Sequence, residues 1–188
     1  SFPTRRSSDL VPSSVFKFCK ENKITEEEFY GFFGSFDTLQ KSIWTKFFDN
    51  SYGLMQKNKD YESMTNEEKM LTFFFTFFEN LTLNRSYVLF IMNEHKHSME
   101  GLMQLKGLRK KFKDFASTLI EEDNEEKDLK IFRYNVPLFS EGAWLQFLFI
   151  LKFWMEDGSP GLEKTDIAIE KSVTTIFQIF ETTTLEKI

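Results

Sequence analysis

The stretch that most limits what this chain can fold into is residues 70–81, MLTFFFTFFENL. Met70, Leu71, Phe73, Phe74, Phe75, Phe77, Phe78 and Leu81 leave almost no polar side to it. Phe and Thr favour strands, so a short strand is one reading. The flanks favour a helix. Thr65 and Glu68 form a Thr-x-x-Glu capping box, and Glu67, Glu68 and Lys69 open the segment as a first helical turn would. A helix that is apolar nearly all round must be buried on most sides. The rest of the chain therefore has to supply the elements that cover it.

The remaining sequence supplies helices. Only 8 Gly and 4 Pro interrupt 188 residues, and 24 Phe are spread through periodic segments. The expected fold class is all-α, with one domain or a small head on a larger body. Residues 12–22 read as a helix with Val15, Phe16, Phe18 and Cys19 on its apolar face. Thr25 and Glu28 make a second capping box. Gly34 marks a tight turn that can take a left-handed backbone, and Ser35 and Asp37 suit the start of the next helix. That helix is expected to run over 35–59, with Leu39, Ile43, Phe47 and Leu54 at helical spacing. Shorter helices are expected over 84–96 and 101–121, then an irregular stretch ending at Pro137. Two strongly apolar helices, 140–156 and 165–180, close the chain around the breaker Asp157-Gly158-Ser159-Pro160-Gly161.

The spacing Phe29-Tyr30-x-x-Phe33-x-Ser35-x-x-x-Leu39 resembles the end of the helix-turn-helix in TetR-type bacterial regulators. The motif resemblance covers residues 12–57, and helix order extends it further. It implies a TetR-like all-α protein with an incomplete DNA-binding head at 11–34 and a ligand-binding and dimerisation body at 35–188. In that family the helix carrying the Tyr reads DNA, so Thr25, Tyr30 and Ser35 are the implied DNA-contacting residues. The long helix after the Ser joins head to body. The central helix lines a ligand cavity, and the last two long helices pair across a two-fold axis. Helix-face guesses place that cavity among Phe73, Phe74, Phe77, Tyr87, Phe90, Met103, Phe112 and Trp144. They place the interface among Trp144, Phe147, Leu151, Trp154, Ile169, Val173, Ile176, Phe177 and Phe180. The implied partners are a second copy, an apolar small molecule or lipid, and operator DNA if the head retains it.

Residues 1–10, SFPTRRSSDL, stand apart. They resemble translated sequencing-adapter sequence; a disordered polar N-terminus would have the same composition. The first helix of a TetR-type head would fall where they stand, and the expectation is that it is missing. The final TTTLEKI has no clear stop.

The recognition helix departs from a DNA reader. Glu26, Glu27 and Glu28 occupy its first turn, where carboxylates repel phosphates. Asn22-Lys23 stands where the family carries Gly, and Phe36 where it carries a phosphate-facing Lys. This favours a second expectation: a TetR-fold protein that binds lipids or quinone precursors and has lost DNA binding. The net charge of −5 agrees with a body that is not a basic nucleic-acid binder.

Enzyme chemistry has no foothold in the pattern. There is no Gly-rich phosphate loop and no Gly-x-Ser-x-Gly turn. His95 and His97 do not share a helical face, and no Cys or carboxylate completes a metal site, so no metal or cofactor is expected. Cys19, alone in the chain, suits a reducing cytosol, and a cytoplasmic location is expected. The run 143–155 is broken by Gln146 and Lys152 and reads as too short and polar to span a bilayer. Lys106, Arg109, Lys110, Lys111 and Lys113 form the densest basic run, read as a solvated helix face.

Overall fold

The computed structural model describes residues 14–94, 99–125 and 133–185. The readings of residues 1–10, of His95 and His97, and of the last three residues lie outside them. All regular structure among the described residues is helical. The helices are α1 Val15–Asn22, α2 Glu26–Phe32, α3 Phe36–Gln56, α4 Asn66–Leu83, α5 Arg85–Glu94, α6 Met99–Gln104, α7 Lys106–Glu125, α8 Val136–Glu156 and α9 Glu163–Leu185. The chain divides into two compact units, with the boundary between Ile43 and Trp44 inside α3.

The first unit holds α1, α2 and the start of α3. Ser14 caps α1 by accepting from the Lys17 N–H at 3.2 Å. Thr25 and Glu28 close both halves of their capping box, at 3.0 and 2.7 Å. The turn between α1 and α2 passes through Lys23 at φ 58°, a left-handed backbone that glycine normally supplies. Gly34, expected to be the left-handed turn residue, is not one: Gly161 alone among the described glycines has positive φ. Phe33 and the bend after it turn the chain within ordinary backbone space. Phe18, Phe29 and Phe36 pack edge to face with centroids 5.5–5.9 Å apart. Phe36 thus has a structural task of its own in this unit.

The second unit is built on α4. Met70, Phe73, Phe74, Phe77 and Leu81 are completely buried, and Phe78 nearly so. Rings from α3, α7 and α8 surround them: Phe48 lies 5.0 Å from Phe73, Phe112 5.6 Å from Phe74, and Phe147 5.2 Å from Phe77. Such offset and edge contacts add to the gain from burying apolar area. Thr65 and Glu68 start α4 with the capping box read from the sequence.

Several boundaries differ from expectation, among them the last helix, expected over 165–180 and found as Glu163–Leu185. The stretch 101–121 is two helices, with Leu105 between α6 and α7, and α7 continues past residue 121 as far as Glu125. Pro137 does not end an irregular stretch but opens α8 in its first turn, where an N–H is not needed. Asn135 caps that helix by accepting from the Leu138 N–H at 3.0 Å. The earlier start makes α8 21 residues, long and apolar enough by length and composition to cross a membrane. Its Phe139, Ala143, Phe147, Ile150 and Trp154 are nonetheless buried within this unit.

The α8–α9 corner is held by one carboxylate. Buried Asp157 accepts from the Ser159 N–H and hydroxyl at 2.8 and 2.7 Å, and from the Thr165 N–H and hydroxyl at 2.9 and 2.7 Å. The Ser159 hydroxyl leads a set of donors that holds this carboxyl far below the ordinary range. From α5, Arg85 donates to the carbonyls of Trp154 and Asp157 at 2.8 and 3.0 Å. Its guanidinium lies 4.4 Å from the Trp154 ring centroid.

Candidate functional site

The aromatic residues proposed for a cavity come together, but they fill the space they enclose. Phe73, Phe74, Phe77 and Phe112 are fully buried and in mutual ring contact. Trp144 stacks on Phe147 at 5.2 Å and meets Phe112 at 6.1 Å. Rings at these separations touch one another as in an ordinary close-packed protein core. Tyr87 and Phe90 are half-buried on α5, and Met103 is 57% exposed on α6. Burial raises the Tyr87 hydroxyl pKa, so it stays protonated.

A concave space of apolar character lies beside this core, between α5, α6 and α8. Leu89, Met92, Gly101, Leu102, Leu105, Leu148, Leu151 and Met155 line about 580 Å³, with Asn93, Lys152 and Glu156 adding polar groups. That volume is in the range that takes drug-sized ligands. Leu105 and Leu151 form its buried wall, while Lys152 and Glu156 are exposed. Sequence reasoning missed these residues because it followed the largest rings. The usable signal was Gly101 within the short α6 and the two Met residues, which pack irregularly.

A second concave surface lies on α8 and α9. Gly142, Gln146, Phe149, Ala168, Ser172, Thr175, Ile176 and Ile179 line about 600 Å³ there. Of the residues proposed for a dimer interface, Trp144, Phe147, Leu151, Trp154, Ile169, Val173 and Phe177 are buried inside the chain's own unit. Ile176 and half-buried Phe180 alone reach the groove. The strongest apolar stripe of a helix faces its own core first. The row left outside is Leu138, Leu145, Phe149 and Ile179, each more than half exposed.

In the first unit the hydroxyls proposed to meet DNA are engaged locally. Thr25 is held in its capping box, and Ser35 accepts from the Thr38 N–H at 3.2 Å. Glu28 is held below its usual pKa, first by the Thr25 backbone N–H. Tyr30 is exposed, as are Glu26 and Glu27 beside it. The basic run on α7 is partly neutralised within the second unit. Arg109 and Lys113 both pair with Glu141, and Lys111 pairs with Asp49 at 2.7 Å. Among the described residues no group of three His, Cys, Asp or Glu could hold a metal ion.

Residues 69–188, most of the second unit, match the family described as Tetracyclin repressor-like, C-terminal domain. No curated protein and no solved structure matches the chain. The match begins near the start of α4 and takes in the pocket of α5, α6 and α8 and the groove of α8 and α9. An all-helical unit built around a buried phenylalanine-rich helix, matched by this family over well more than half of the sequence, makes the chain a member of the TetR-like family through its C-terminal domain.

Proposed function

We propose that this chain is a ligand-responsive, TetR-type transcriptional regulator of the cytoplasm, not an enzyme. It takes an apolar small molecule with one polar end in the pocket of α5, α6 and α8. The pocket carries this reading: its walls are mostly Leu and Met, and Lys152 and Asn93 are among the few polar groups that line it. The working form is a homodimer joined through the outer faces of α8 and α9, where Leu138, Leu145, Phe149 and Ile179 are exposed. α3 contributes residues to both compact units, so it is the element through which occupancy biases the head. The ligand changes DNA affinity only by binding one state more tightly than the other.

The test uses an anionic apolar dye, 1-anilinonaphthalene-8-sulfonate. It is expected to bind the wild type with saturable fluorescence, and Leu148→Trp, which fills the pocket, is expected to weaken binding about tenfold. Equal titration curves would move the ligand elsewhere.

A second reading, a TetR-fold lipid- or quinone-precursor-binding protein without DNA binding, is favoured by one observation. The first turn of α2 presents Glu26 and Glu27, and Phe36 is consumed by the aromatic cluster. Fluorescence anisotropy with a mixed-sequence duplex separates the two. Salt-dependent binding at low ionic strength supports the regulator. A flat titration, together with a lipid-sized adduct in native mass spectrometry, supports the lipid binder.

A further inference from the structure

Gln146 is the anomaly of the second unit. It sits in the middle of α8, only 9% exposed, at the groove shared with α9. Neither its amide nitrogen nor its amide oxygen has a hydrogen-bond partner among the described residues. Buried amides are nearly always paired, because leaving both ends unmade forfeits the hydration they had in the unfolded chain. One turn earlier on the same groove stands Gly142. A methyl group there would meet the Ile176 side chain at an ordinary 3.5 Å, so packing within the chain does not require glycine. Glycine inside a helix is unfavourable, and here it leaves a gap beside Gln146 on the groove.

Both features are explained by something that approaches closely over Gly142 and offers both a donor and an acceptor. We propose that this is the Gln146 of a second copy, with the two side chains meeting at the two-fold axis and their amides pairing through two hydrogen bonds. The proposal rests on the dimer reading above and adds what sets its register. In a two-fold interface a residue near the axis faces its own copy, and a primary amide is its own complement, with N–H donors and a carbonyl acceptor. Both amide atoms are shielded from solvent in the single chain, so the pairing requires the side chain to rotate and bring its amide into the groove. Of the polar groups that line the groove with it, Thr175 already donates its hydroxyl to the Lys171 carbonyl at 2.7 Å. A single buried amide in an otherwise apolar helical interface fixes register and partner choice at some expense of stability, the best-attested use of such groups.

The experiment mixes two species of the full chain. Wild type and Gln146→Met, a variant of nearly the same shape without hydrogen-bonding ends, are made with tags of different mass. They are exchanged to equilibrium at equal concentration and weighed by native mass spectrometry. Met pairs with Met and amide with amide, but a mixed dimer strands one amide. The expected result is two homodimers, with the heterodimer about tenfold below its statistical half. Gln146→Leu is expected to sort in the same way and serves if the Met variant misfolds. Heterodimers at the statistical half would overturn the amide pair while leaving the dimer standing. A monomeric wild type at all concentrations tested would instead remove the dimer reading, and this one with it.

Discussion

The two compact units use the same residue type in opposite ways. In the second unit phenylalanine is structural mass: Phe73, Phe74, Phe77, Phe112, Phe139 and Phe147 are fully buried. In the first unit Phe29 is the one buried phenylalanine among the described residues, while Phe32 is 81% exposed and Phe16 is exposed as well. The first unit is held by helix caps and one small ring cluster, the second by a continuous aromatic core. Stability that rests on caps is worth about 1 kcal/mol per site, whereas a buried ring is worth several. Residues 44–188 are therefore expected to set the melting behaviour, with the first unit opening earlier.

The sharpest way to break that contrast is to place a charge in each cluster. Phe74→Asp or Phe77→Asp is expected to abolish folding of the second unit, since an unpaired buried carboxylate costs far more than a domain can spare. Phe32→Asp, on an exposed position, is expected to leave the main transition within about 2 °C. Circular dichroism melts of the three variants decide it, and a folded Phe74→Asp would show that α4 is not the core.

A smaller effect is expected from Phe29→Ala, about 3–5 kcal/mol if the cavity does not collapse. Its loss should appear in hydrogen exchange of α1 and α2, with α4, α7 and α8 still protected. Uniform loss of protection would mean that the two units unfold as one.

The α8–α9 corner provides a pH test within the second unit. The Ser159 and Thr165 donors lower the Asp157 pKa below its ordinary 3.8. A group lowered in this way contributes its full stability above that pH and loses it as acid protonates the folded form. Wild type is therefore expected to lose melting temperature steadily from about pH 4 downward. Asp157→Asn should melt lower at pH 7 and lose less between pH 4 and pH 2. Parallel curves would show that Asp157 does not hold the corner.

The smallest effects compare the two capping boxes. Thr65→Ala is expected to lower global stability by about 1 kcal/mol, because α4 is in the core. Thr25→Ala is expected to remove a similar amount from the first unit alone and to leave the main transition unmoved. Equal shifts in the melt would erase the distinction between the units.

Several elements were legible residue by residue. The Thr25–Glu28 and Thr65–Glu68 boxes formed as read, because both partners lie within one turn and need nothing from elsewhere. The α4 helix followed from its cap and its length, since a ring-coated segment has nowhere to go but inside. Pro137 was misread because its effect depends on helix position: in the first turn it opens a helix, and further along it would end one. Gly34 was misread because glycine permits a left-handed backbone without requiring it. The candidate pocket escaped for a different reason. Side-chain size marks what wants to be buried, but a cavity is where burial stops, and that boundary belongs to the packed whole.

By itself the amino-acid sequence determined the all-helical class, the two caps, the buried status of α4 and the resemblance that the family match bears out. These depend on periodicity and on contacts a few residues apart, which the order of residues contains directly. Only the tertiary structure decided which phenylalanines were spent on the core, that Leu and Met border the remaining space, and which row of α8 stayed outside. It also left Gln146 buried without a hydrogen-bond partner among the described residues. Those outcomes turn on how helices far apart in sequence divide one volume among them, and on which polar groups are left over when they have.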